Sequence, residues 1–247
     1  MNTSFNNKVV LVTGASRGMG QAFAEAFAAN GAKVVINYVH NKDFADTIVQ
    51  NIQKNGGQAL AVQADVSKLS ELEALFHAAI EHFGQVDILI NNAGIMTTKP
   101  LEQITEHDFD QHMAINVKGT YFGCQLASKL MKPGGRIINL STSILGQMVP
   151  TYSLYAGTKG AVEQFTRHMS KELAPKGITI NAIAPGPTNT ELFVADKTEA
   201  QIDAFKRMIG FNRLGEVEDI VKVILFMASN ESGWISGQTI RVNGAFI

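Results

Sequence analysis

Lys8-Val9-Val10-Leu11-Val12-Thr13-Gly14-Ala15-Ser16-Arg17-Gly18-Met19-Gly20 decides the fold. The apolar residues from Val9 to Val12 run without polar alternation, which marks a strand covered on both faces. Three glycines follow at once in the spacing G-x-x-x-G-x-G. Residues 21–30, rich in alanine and phenylalanine, then read as a helix that Gly31 stops, and 33–38 as a second strand. This is a β-α-β unit with a glycine-rich first turn. Such a turn lets the backbone approach a pyrophosphate seated on the helix N-terminus. The spacing is not the commoner G-x-G-x-x-G, so the strand-turn-helix context carries the reading.

The same alternation continues outward. A helix over 43–55 ends at Gly56-Gly57, and 59–63 is a third strand. Ser67 opens a helix over 71–83, with Glu71 and Glu73 at its positive end. A fourth strand, 86–90, precedes a long helical stretch over 109–131, which Pro133-Gly134-Gly135 breaks. Strand 136–140, a helix from before Tyr155 to about 173, and strand 178–184 come next. Residues 188–212 are less regular and have the mixed polarity of a lid. Helix 216–228 and strand 238–242 close the chain. The pattern predicts an α/β, Rossmann-type doubly wound parallel sheet of about seven strands with helices on both faces. One domain is expected over 1–247, with no repeat, linker or low-complexity tract.

Composition narrows the function classes. The 247 residues are 45% hydrophobic and 17% charged, with a formal net charge of -1. That balance suits a globular core and gives no electrostatic case for nucleic acid or an acidic membrane. The single cysteine, Cys124, excludes an internal disulfide and a cysteine metal cluster. No metal site is expected. The polar start, 1–7, lacks a basic-then-apolar signal, and no apolar run reaches membrane-spanning length. A cytoplasmic location is expected.

The chemistry-bearing residues sit where strands end. Tyr155 and Lys159 are four apart, so on a helix they share one face. A nearby ammonium favours phenolate and lowers the phenol pKa, which suits proton transfer to or from a substrate oxygen. Ser141, Thr142 and Ser143 follow the fifth strand and can hydrogen-bond a carbonyl or cap the loop. Asn91-Asn92-Ala93-Gly94 follows the fourth strand and suits a crevice floor. Asn116 lies mid-helix, where asparagine is either buried and satisfied or used. Asp65 caps the turn after the third strand or lies by an adenine. The second strand ends on neutral Asn37 and Tyr38, without the acidic residue that holds a ribose 2′-hydroxyl in NAD enzymes. Arg17 and Lys42 are basic and could pair with a 2′-phosphate, so NADP(H) is favoured over NAD(H).

In this order, Thr13-Gly14-x-x-x-Gly18-x-Gly20, Asn91-Asn92-Ala93-Gly94, Asn116, the hydroxyl cluster, Tyr155-x-x-x-Lys159 and Pro185-Gly186 resemble the short-chain dehydrogenase/reductase family over nearly the whole chain. The resemblance extends to its 3-oxoacyl-[acyl-carrier-protein] reductase-like members. It implies that Gly14, Ser16, Gly18 and Met19 hold cofactor phosphates and that Asp65 and Val66 flank the adenine. It implies Asn92, Ala93 and Gly94 along the ribose, with Pro185, Gly186 and Thr188 over the nicotinamide. Tyr155 would be the general acid/base. Lys159 would hold the ribose and lower the Tyr155 pKa. The Asn116 carbonyl would anchor a water of a proton relay. The family's catalytic serine falls, by counting from Asn139 and from Tyr155, on Thr142. Ser143-Ile144-Leu145-Gly146 instead resembles the family's S-x-x-G, which favours Ser143.

The expected activity is hydride transfer between NADP(H) and a carbonyl/secondary alcohol pair. An NAD-dependent alcohol or sugar dehydrogenase and a non-catalytic nucleotide sensor on the same fold are the rivals. The resemblance makes an acyl thioester the default substrate, with ketones and quinones close behind. Met96, Met148, Tyr152, Leu192, Phe193 and Phe205 either line an apolar pocket under the lid or pack as ordinary core. The resemblance also implies a homotetramer built on the long helices.

Overall fold

The computed structural model describes residues 4–195 and 197–247. The first three residues of the polar N-terminal stretch, and Asp196 in the lid segment, lie outside the described residues. Seven strands form one parallel sheet in the order β3-β2-β1-β4-β5-β6-β7. They are β1 (Val9–Val12), β2 (Lys33–Tyr38), β3 (Gln58–Gln63), β4 (Ile88–Asn91), β5 (Arg136–Leu140), β6 (Thr179–Pro185) and β7 (Thr239–Val242). The chain winds outward from β1 to β3, crosses back to place β4 beside β1, then winds the other way. That reversal opens a crevice beyond the carboxyl ends of β1 and β4.

Successive strand residues point to opposite faces, so each face gathers its own core. Val10 and Val12 join helices α1 (Gly18–Ala29), α2 (Lys42–Lys54) and α9 (Val217–Ala228) on one side. Val9 and Leu11 join α3 (Leu69–Phe83), α5 (Thr120–Leu130) and the far end of α6 (Ser153–Leu173) on the other. Phe23 and Phe27, both wholly buried, show why the alanine- and phenylalanine-rich stretch became α1.

Three elements differ from the sequence expectation. Residues 109–131 are not one α-helix: α4 (Glu106–His112) passes through a π-helical segment, Met113–Gly119, before α5 begins. The lid segment is more regular than its mixed polarity suggests. It holds α7 (Glu191–Val194) and α8 (Glu199–Met208), and a reciprocal cap between Thr198 and Gln201 starts α8. Ser67 does not cap α3; the N-cap is Lys68, and Ser67 bonds Asp65 instead.

Candidate active site

The glycine-rich turn is held from beneath. Gly14 has φ +61°, and a Cβ there would lie 2.9 Å from the Ala93 Cα. A Cβ on Gly20 would lie 2.4 Å from the Gly14 carbonyl oxygen. Any larger residue would therefore push the β1 turn off the β4 end. Asn92 Nδ2 donates to the Thr13 and Gly14 carbonyls, and Thr13 Oγ1 accepts the Asn92 and Ala93 N–H groups. Half-buried Ser16 lies in the turn itself. Helix α1 then begins without a side-chain cap and without an acidic residue in its first turn. Its orphan N–H groups face the crevice as a partial positive charge, which fits a cofactor pyrophosphate.

The expected adenosine end is built differently from the sequence reading. Asn37 is wholly buried rather than offered to a ribose. Its Oδ1 accepts the Gly14 N–H at 3.0 Å and its Nδ2 donates to the Ala64 carbonyl at 2.8 Å, so it pins the glycine turn. Tyr38 is buried in the layer with α1 and α2. Neither basic side chain stands alone. Arg17 Nη1 donates to Glu191 Oε2 of α7 at 3.2 Å, and Lys42 pairs with Asp46 one turn along α2. Asp65 is a turn cap, taking the Ser67 N–H and hydroxyl, and Val66 is buried against Gly119.

At the crevice floor, α6 aligns Tyr155 and Lys159 on one face. Lys159 is buried, and its Nζ donates to the Leu140 carbonyl at the end of β5 at 2.7 Å. A Cβ on Gly94 would lie 3.5 Å from that Nζ, so the absent side chain leaves the ammonium open to the crevice. Burial pulls the Lys159 pKa down to about 8. Burial pushes the Tyr155 phenol up to about 12, opposed by a hydrogen bond with the Thr142 side chain. The depression of Tyr155 expected from Lys159 is not among the influences acting on the phenol in this arrangement. The Nζ stands 5.9 Å from the Tyr155 ring centroid, and burial is the largest influence on the phenol.

The hydroxyl assignment is also corrected. Ser143 is wholly buried and donates to the Ala184 carbonyl at 2.7 Å, facing away from the crevice. Ser141 Oγ donates to Glu163 Oε1 at 2.8 Å. Thr142 is the hydroxyl beside Tyr155. Its Oγ1 accepts the Ile144 N–H at 3.3 Å, which leaves its own proton to point elsewhere. Thr142, the position reached by counting from Asn139 and Tyr155, lines the cleft, whereas the S-x-x-G stretch forms the short 3-10 turn Ser143–Gly146. Asn116 is buried in the π-helical segment. Its amide bonds Ile95 on both sides and Thr158 of α6, and its carbonyl accepts the Thr120 hydroxyl. It ties the β4 loop to the helix that carries Tyr155.

A family model described as enoyl-(acyl carrier protein) reductase matches residues 14–246. The chain belongs to the short-chain dehydrogenase/reductase family. It is 41% identical to elsinochrome reductase 1 of Elsinoe fawcettii, over 97% of this chain and 94% of that one. It is 38% identical to versicolorin reductase 1 of Aspergillus parasiticus, over 98% and 97%. Among solved structures, a blue fluorescent protein from a metagenomic library in complex with NADPH superposes with a TM-score of 0.94 at 34% identity, over 98% and 99% of the two chains. Membership of this family makes the chain an oxidoreductase.

The short-chain dehydrogenase/reductase cleft opens above Tyr155. Met19, Asn92, Gly94, Thr142, Lys159, Pro185, Gly186 and Thr188 border one side of it. The Thr188 hydroxyl donates to the Gly186 carbonyl, fixing that loop. Met96, Tyr152, Leu192, Phe193 and Phe205 border the other side, so five of the six expected apolar residues meet there. Met148 does not; it is fully exposed. The sequence reading missed Ile144 and Phe246, which share an apolar cluster with Tyr152, Phe205, Ile209 and Leu214. Phe246 stands one residue from the chain's end, and no local signal pointed to it.

Proposed function

We propose that this chain is an NADPH-dependent carbonyl reductase, with Tyr155 as the general acid. The observation that carries the reading is the convergence of Tyr155, Thr142 and Lys159 on one wall of a cleft whose other end is the uncapped N-terminus of α1. Bound there, a dihydronicotinamide supplies the hydride. Gly14, Ser16, Gly18 and Met19 would hold its phosphates and Asn92, Ala93 and Gly94 its ribose, with Pro185, Gly186 and Thr188 along the nicotinamide. A neutral phenol of raised pKa donates a hydrogen bond to the carbonyl oxygen, and Thr142 donates a second. As the carbonyl carbon takes the hydride, its oxygen becomes far more basic than a phenolate, and Tyr155 gives up its proton. Lys159, whose pKa burial lowers to about 8, exchanges its proton readily near that pH and returns one toward Tyr155. The Asn116 carbonyl anchors a water on that route.

The relatives favour a substrate class. A further relative, 39% identical, is named a probable tetrahydroxynaphthalene reductase, a name that carries a fused aromatic ring, and the aromatic wall of Phe193, Phe205 and Tyr152 suits a flat ring better than a flexible acyl chain. Quinoid or phenolic ketones therefore move ahead of acyl thioesters. Residues 188–212 act as the lid over that wall. Exposed Phe109, Met113 and Tyr121 on the 109–131 stretch support packing against another copy, as in a homotetramer. One observation favours a second reading, an NAD-dependent dehydrogenase: Arg17 and Lys42 already have carboxylate partners.

The deciding experiment follows NADPH and NADH oxidation with a panel of aromatic ketones, quinones and acyl thioesters. Carbonyl-dependent oxidation of NADPH is expected, and Tyr155→Phe should lower kcat/KM by about 10²-fold or more while still binding nucleotide. Full turnover by Tyr155→Phe would refute the general-acid role.

A further inference from the structure

Tyr152 stands one turn before Tyr155, at the N-cap of α6, and is 6% exposed. Its ring borders the cleft and meets Tyr155 edge-on at 6.5 Å and Phe205 edge-on at 6.4 Å. Lys197 Nζ lies over the ring, 5.9 Å from its centroid, and donates to the Phe193 carbonyl. The Tyr152 hydroxyl is buried and has no hydrogen-bond partner. Leaving such a group unpaired is costly, and phenylalanine would fill the same aromatic cluster without the cost. The hydroxyl is also kept neutral, since burial raises its pKa to about 12. A neutral phenol both donates and accepts.

We propose that the Tyr152 hydroxyl binds a second oxygen of the substrate, so that this enzyme selects flat aromatic carbonyl compounds bearing another hydroxyl or carbonyl group. The proposal rests on the carbonyl-reductase reading of the same cleft. Two phenols one helical turn apart face one ligand: Tyr155 takes the oxygen that reacts, and Tyr152 takes one that does not. Their ring centroids stand 6.5 Å apart, with the ring planes inclined at 67°. That distance suits two oxygens on one ring or on two fused rings. The aromatic residues around them recognise the plane of the ring, and Tyr152 recognises where its oxygens lie.

The test is a binding experiment, so it does not depend on turnover. Quenching of bound NADPH fluorescence is titrated with 1-naphthol, which has one oxygen, and with the dihydroxynaphthalene isomers, which have two. At least one isomer should bind the wild-type protein about tenfold tighter than 1-naphthol, and Tyr152→Phe should bring that ratio to about one. The Tyr152→Phe protein should also melt no lower than wild type, because it loses a hydroxyl without a partner. An unchanged ratio in Tyr152→Phe, or no preference for any isomer in wild type, overturns the proposal. A clearly lower melting temperature overturns it too, since the hydroxyl would then serve the fold. Failure of the carbonyl-reductase reading shows separately, as no NADPH oxidation with any carbonyl.

Discussion

Thr142 and Ser143 are adjacent, and only Thr142 hydrogen-bonds Tyr155, while Ser143 bonds the Ala184 carbonyl. Thr142→Val keeps the shape and removes the hydroxyl beside Tyr155, so kcat/KM should fall roughly 10²-fold with Thr142→Ser near wild type. Ser143→Ala should instead cost about 1 kcal/mol of stability, through the lost bond to Ala184, with a much smaller effect on turnover. Equal activity losses in the two variants would refute this division. Lys159 gives a pH prediction. Its pKa is about 8 in the fold against 10.5 ordinarily. Between those values the unfolded chain binds more protons, so raising the pH stabilises the fold; below 8 the whole penalty remains. In urea titrations the wild type should gain about 3 kcal/mol on Lys159→Met from pH 8 to 10.5. A pH-independent difference would refute it. The shared face of Tyr155 and Lys159 was legible from their spacing alone. The direction of their pKa shifts was not, because burial is a property of everything packed above them. The choice among three consecutive hydroxyls likewise depended on which way a 3-10 turn leaves β5.

Among the elements, the strands were the most legible. Unbroken apolar runs such as Val9 to Val12 have no alternative placement once helices cover both faces. The π-helical segment was not legible, because its widened hydrogen-bond pattern leaves no mark on residue propensities; only a mid-helix asparagine hinted at it. Helix α8 was readable in principle, from Thr198 followed three residues later by Gln201, but the polarity of the segment masked its one buried face at Phe205. Helix α7 carries an element-scale prediction. Its Glu191 holds Arg17 of the glycine-rich turn across the mouth of the cofactor crevice. A cofactor phosphate and Glu191 would compete for one guanidinium. Glu191→Gln should therefore raise the affinity for NADPH over NADH by roughly twofold to fivefold, as read by fluorescence titration. The gain should fade at high salt, because both side chains are exposed. No change at low salt would mean that Arg17 does not meet the cofactor.

At the scale of the molecule, the alternating pattern of strand and helix announced a doubly wound sheet, and the crevice follows from where the winding reverses. What local pattern could not carry was closure over long separations. Phe246 packs with Tyr152 and Phe205, and its carbonyl accepts a bond from Gln147 Nε2 at 2.8 Å, 99 residues away in sequence. Deleting Phe246 and Ile247 should cost about 2 kcal/mol, the worth of one buried large apolar side chain, and raise KM for a carbonyl substrate. A truncated protein with wild-type melting and KM would contradict this. Ile247 extends the same contact, since a Cβ on Gly146 would lie 2.1 Å from its Cδ1. Phe246 and Ile247 thus brace Gly146 and Gln147 from the opposite end of the fold's sequence. Because Phe246 also borders the cleft, a substitution there would work as a distant adjuster, setting from far along the chain how wide the opening stands for large ring systems.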